Sequence, residues 1–294
     1  AFMTLSGSEG LLASMGFGHA EVTSGTYVNR NHLAGYLELT LACGIGLLLA
    51  LRDGRPFRWL NLLEMLMGPK ARLRLALVIM VIALVMTHSR GGNAAFFTAL
   101  MLVGGVFVLR DKGNRLRNGL ILASILVIDV LVISQYFGLE RLKDRVLNTR
   151  LTDVVVDGEV VQQANEVRDD VFLYAIPLAQ DRPLTGQCAG SFESVFPKYP
   201  GEDIRLHFDH AHNDYLQVMA EMGVVGFGAA LGLAWFVFGR AWRGAHGWGW
   251  LQMGVVGALA AMALHSLVDF NLYMPANALA VGWLGGVGCA EEEW

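Results

Sequence analysis

The chain has 294 residues, 54% of them apolar and only 16% charged, against roughly 25% charged in an ordinary soluble domain. Twenty-two basic and 26 acidic residues leave a net charge of -4, which excludes nucleic-acid binding by bulk attraction. The cysteines (Cys43, Cys188, Cys289) lie far apart, so neither a disulfide framework nor a cysteine metal site is indicated, and 35 glycines without a collagen period suit closely packed membrane helices.

Taken in chain order, uninterrupted apolar stretches predict seven membrane spans. They are Leu33–Leu51, Leu73–Thr87, Ala94–Leu109, Leu120–Phe137, Tyr215–Phe238, Leu251–Val268 and Leu272–Cys289. Arg74 has to snorkel from the second span, and Trp59–Met67 reads as an interfacial helix beside it. The fold class is therefore an all-α polytopic integral membrane protein. Residues 1–137 form a first part of the bundle with about four spans, 138–214 a large loop, and 215–294 a last part with about three.

Loop charges set the orientation. Arg52–Arg74 holds six basic and two acidic residues, Arg110–Arg117 four and one, and the fifth connection Arg240 and Arg243 with no acid. These alternate loops carry 12 of the 22 basic residues, the mark of the cytoplasmic side. The opposite loops are poor in Lys and Arg or acidic; Gly138–Asp214 has eight basic and 14 acidic residues. No signal peptide is visible and the chain opens on Ala1. With residues 1–32 outside, further spans are expected upstream.

In the large loop, Leu151–Val161 reads as a hairpin about Asp157-Gly158. Next, Arg168–Gln180 places Val171, Phe172, Ala175 and Leu178 at helical spacing, an amphipathic helix on the outer membrane surface interrupted at Pro177. The turn Pro183–Phe192 is punctuated by glycine but lacks the Lys of a P-loop.

Four polar clusters fall on the outer side: Asn29–His32, His88–Asn93, His210–Gln217 and Asp269–Asn271. An Arg at a helix end is ordinarily a snorkelling flank. Arg90, however, sits in a short outer turn where positive charge is disfavoured, and Arg30 is the sole basic residue of the first 32. His210 and His212 are open to a plainer reading, a hydrated helix start with Asn213 or Asp214 as its cap. A metal reading of the two histidines lacks a third ligand fixed by spacing. Glu38 lies a turn or two below the outer end of its span, Asp129 near the middle of another, and His265 one turn before Asp269.

These segments carry a resemblance. GTYVNRNHLAGYLE, SRGGNAA, RDDVFLYAIPLAQDRPLTGQCAGSFESVFPKYP, HAHNDYLQVMAEMGVVG and HSLVDFNLYMPANAL resemble, in family order, the O-antigen ligase and O-antigen polymerase superfamily, which includes bacterial pilin O-oligosaccharyltransferases. The likeness runs from about Gly25 to the last span. It implies a GT-C-like enzyme of the bacterial inner membrane with a large periplasmic loop and a site facing the periplasm. It also implies an undecaprenyl-diphosphate-linked glycan as donor, and inverting transfer to a hydroxyl of the lipid A core or of a growing glycan, with no metal and no cofactor. Arg30 and Arg90 match the family's two essential arginines, and His212 its loop histidine. Cys188 departs from the pattern, standing where the family usually has a middle Gly.

The chemistry follows from the residue types. Two guanidiniums can hold a diphosphate bidentately without titrating. His212 is a candidate general base for the acceptor hydroxyl, or else binds acceptor sugar or phosphate. His210, Asn213, Asp214, Tyr215 and Arg168 are candidate substrate-binding residues, and Asp269 another, able to orient an arginine. A transporter or flippase of lipid-linked sugars is the rival class. It predicts midplane sites and internal repeats, whereas no repeat is seen and the polar groups gather on one face.

Overall fold

The computed structural model describes residues 24–51, 69–110, 154–156, 159–162, 168–200 and 207–290, with isolated positions between 113 and 127. The chain divides into two compact units. The first comprises 1–129, 232–266 and 271–294, the second 130–231 and 267–270.

Helices α1 (Arg30–Ala50), α2 (Pro69–Met86) and α3 (Arg90–Arg110) open the first unit. The later part of α6 (Asp214–Trp248), α7 (Trp250–His265) and α8 (Pro275–Cys289) complete it. The Asn29 side chain accepts the Asn31 N–H at 2.9 Å and so starts α1. Apolar on nearly all faces, α1 packs most extensively on α7. Glycine sets that crossing: a Cβ on Gly46 would lie 2.6 Å from the Trp250 carbonyl oxygen, and one on Gly254 2.8 Å from that of Ala42. Small residues let membrane helices approach this closely.

Several large side chains of this unit face outward. Trp235 is 81%, Leu279 74% and Trp283 71% exposed, a pattern that suits lipid and is a liability in water. Arg30–Ala50 and Asp214–Gly244 are long and apolar enough to cross a membrane, and Trp250–His265 is apolar but shorter. The predicted spans other than the fourth coincide with helices α1, α2, α3, α6, α7 and α8. Most of Leu120–Phe137, with Asp129, and all of Trp59–Met67 lie outside the described residues.

In the second unit, β1 (Val154–Val156) and β2 (Glu159–Gln162) pair antiparallel, as expected of a hairpin. Helix α4 (Arg168–Asp181) runs unbroken through Pro177, contrary to the expected interruption. A proline inside a helix costs about 3 kcal/mol, but here it is exposed while Val171, Ala175 and Leu178 on the other face are fully buried. They pack with Phe192 of α5 (Phe192–Val195), and with Phe196, Ala211 and Ala220. The face expected to lie on a membrane is thus taken up by the protein's own core. Helix α6 is 35 residues long and leaves helical geometry at Gly223 (φ 63°, ψ -169°).

Candidate functional site

Arg30 and Arg90 are the first residues of α1 and α3, and both are exposed. The turn before Arg90 is tied down by short-range bonds. Thr87 Oγ1 donates to the Leu84 carbonyl at 2.6 Å and accepts the Ser89 N–H at 3.2 Å. Ser89 Oγ in turn accepts the Gly92 N–H at 3.2 Å, and Asn93 Nδ2 donates to the Ser89 carbonyl at 2.7 Å. His88 takes a left-handed conformation (φ 55°) to make the corner. A cation at a helix N-terminus opposes the helix dipole by about 0.3–1 kcal/mol.

The first turns of α1 and α3 meet. A Cβ on Gly92 would lie 2.7 Å from Ala34 Cβ, 3.0 Å from Glu38 Oε1 and 3.1 Å from His265 Cε1. Both arginines therefore stand at the same end of the first unit. Beneath them Glu38 Oε1 and His265 Nδ1 are 2.6 Å apart, with both side chains essentially inaccessible. Sequence reasoning singled out each of these residues but missed the pairing, for nothing local in α1 says that the end of α7 lies against it.

A polar cluster closes the same end. Asn277 Nδ2 donates to the His32 carbonyl (3.1 Å) and Asn271 Oδ1 (3.2 Å). Tyr27 donates its hydroxyl to Asn277 Oδ1 at 3.0 Å. Burial, then the neighbouring Tyr36, push the Tyr27 phenol above its ordinary value.

The histidine segment belongs to the second unit. His212 is 15% exposed, left-handed at φ 52°, and its Nδ1 faces Asp269 Oδ1 at 3.7 Å. Asp269 is buried and also accepts the Phe270 N–H at 2.9 Å. Its carboxylate stands beside the histidine. Phe270 meets the His212 ring edge-on with centroids 4.9 Å apart and stacks on His210 at 4.2 Å. His210 Nδ1 lies 3.3 Å from Asp209 Oδ2.

Asn213 is the cap of α6, accepting the Leu216 N–H at 3.0 Å, while its Nδ2 donates to the Leu267 carbonyl at 2.9 Å. Asp214 opens the helix and is buried. Tyr215 is half-buried, edge-on to Phe227 at 6.4 Å. Arg168 is the first residue of α4. Among the described residues no group of three or more His, Cys, Asp or Glu is placed to hold a metal ion.

Sequence reasoning passed over the carboxylate of Glu221. It accepts the N–H groups of Gly190 (2.9 Å) and Phe192 (3.2 Å) from the glycine-punctuated turn. The turn docks on the kink of α6 with backbone bonds from Val224 to the Pro183 carbonyl (2.8 Å) and from Val225 to that of Leu184 (3.2 Å). Gly186 and Gly223 face each other there, and a Cβ on either would run into the other strand's backbone. Cys188 has φ 121°, the region that favours glycine. Tyr199 donates its hydroxyl to Asp181 Oδ2 at 2.5 Å, and that bond raises its phenol above the ordinary value.

The sequence model of the O-antigen ligase family matches residues 75–231, just over half of the chain. The matched stretch includes Arg90, the glycine-punctuated turn and His212. No curated protein matches the chain.

Proposed function

The chain belongs to the O-antigen ligase family, and from that premise we propose that it moves a glycan from undecaprenyl diphosphate to an acceptor hydroxyl at the periplasmic face of the bacterial inner membrane. The acceptor is the lipid A core or a growing glycan, and the seven predicted spans put the polar helix ends on that face. The observation that carries the reading is the placement of Arg30 and Arg90 as the first residues of two helices whose first turns touch.

The acceptor oxygen forms a bond to the anomeric carbon as the bond from that carbon to the phosphate oxygen breaks, inverting the centre. The acceptor proton goes to His212, and undecaprenyl diphosphate leaves. Charge develops on the leaving phosphate, where fixed guanidiniums help most in the transition state. Asp269 Oδ1 lies 3.7 Å from Nδ1, and the other ring nitrogen, Nε2, is the one proposed to accept the proton.

The test supplies a host strain with the full-length gene, as wild type or His212→Ala at equal expression, and sizes undecaprenyl-linked glycan, lipopolysaccharide and glycoprotein in parallel. One pool is expected to lose glycan in the variant while carrier-linked material accumulates, and that pool names the acceptor. Loss of long carrier-linked chains identifies extension of the glycan instead. If every pool matches wild type, the catalytic reading of His212 falls.

A further inference from the structure

A residue with a Cβ at φ near +52° is strained and is held there by its surroundings. For His212 those surroundings can be traced atom by atom. The residue before it, Ala211, is fully buried, and its N–H donates to Gln217 Oε1 at 3.1 Å. The amide of Gln217 is used from both ends, since Nε2 donates to Glu221 Oε1 at 3.2 Å. Glu221 Oε1 also accepts the Phe192 N–H, and Oε2 the Gly190 N–H. Gln217 and Glu221 are 1% and 2% exposed, and four-residue spacing sets them on one face of α6.

We propose that Gln217 and Glu221 are positioning residues for His212, a buried relay that fixes the left-handed histidine by anchoring the backbone ahead of it to the glycine-punctuated turn. The relay holds the imidazole at Asp269 without touching substrate. Glu221 is the fixed point, because a buried carboxylate tolerates desolvation only while its oxygens accept hydrogen bonds, and three donors converge on it. Gln217 carries that rigidity to the Ala211 peptide. Loss of the relay leaves a buried N–H and a buried carboxylate short of partners, and the histidine drifts from its working geometry, where a shift near 1 Å costs about 100-fold in rate. This inference rests on the reading of His212 as the base.

The experiment is a double-mutant cycle on the full-length protein in liposomes, with undecaprenyl-diphosphate-linked glycan extracted from the host as donor and purified lipid A core as acceptor. Gln217→Met keeps the volume and removes both hydrogen bonds. It is expected to lower kcat by about 10- to 100-fold, to leave the donor KM within about twofold, and to add nothing to His212→Ala. A purely structural role would instead multiply the two losses. If Gln217→Met does not fold, the isosteric Glu221→Gln goes through the same cycle with the same expectations. A folded variant with wild-type kcat, or one whose loss multiplies that of His212→Ala, overturns the relay and leaves the base reading standing. Full activity in His212→Ala overturns the base reading instead.

Discussion

Arg30 begins a helix, where the dipole disfavours it, and remains exposed. If its work is to fork onto a diphosphate, Arg30→Lys should fail almost as badly as Arg30→Ala, because an ammonium is a point charge with no fork. A fall of about 10²–10³ in transfer rate is expected for either, read as radiolabelled glycan passed to acceptor. A lysine enzyme at wild-type rate would remove the bidentate role. Cys188 is the opposite case, a residue against its backbone: at φ 121° its Cβ stores strain that Cys188→Gly releases. A gain of about 1 kcal/mol is expected after the entropic cost of glycine, seen as a higher melting temperature of the full-length protein in detergent. Arg30 was legible as the sole basic residue of the first 32, and Cys188 through the family resemblance, standing where a middle Gly is usual. Gln217 and Glu221 carry no such mark, as buried amides and carboxylates on a helix look in sequence like any polar face.

At the level of elements, α3 sits against α1 and α7 through the absence of a side chain. Gly92 leaves no room for a Cβ against Ala34, Glu38 and His265. Gly92→Ala is therefore expected to destabilise the protein by about 1–3 kcal/mol and to displace the first turn that carries Arg90. Adding Ala34→Gly should recover part of both losses. Thermal unfolding and transfer rate together check this, and a tolerated Gly92→Ala would show that the turn can shift at no cost. The helices themselves were readable because long uninterrupted apolar runs mark them. The continuity of α4 through Pro177 was not readable, because packing of Val171, Ala175 and Leu178 outweighs a local penalty.

For the whole molecule, the sequence shows which faces are apolar but not which helix covers them. Tyr27 bonds to Asn277 across 250 positions, and Glu38 finds His265 at the far end of the chain. Such partners carry no local signal, so the polar clusters could be picked out from the sequence while their pairings could not. The apolar residues left outward on α6 and α8 complete the picture of a protein whose surface is matched to lipid.

The kink at Gly223 has a consequence for how such a chain is made. Where a regular helix would satisfy its own amides, Val224 and Val225 give theirs to the carbonyls of Pro183 and Leu184, and a donor left bare in hydrocarbon costs several kcal/mol. The turn precedes α6 in the chain, so the acceptors are synthesised before the donors that need them. The helix can take its kinked form only together with that turn, and the two stand or fall as one folding unit.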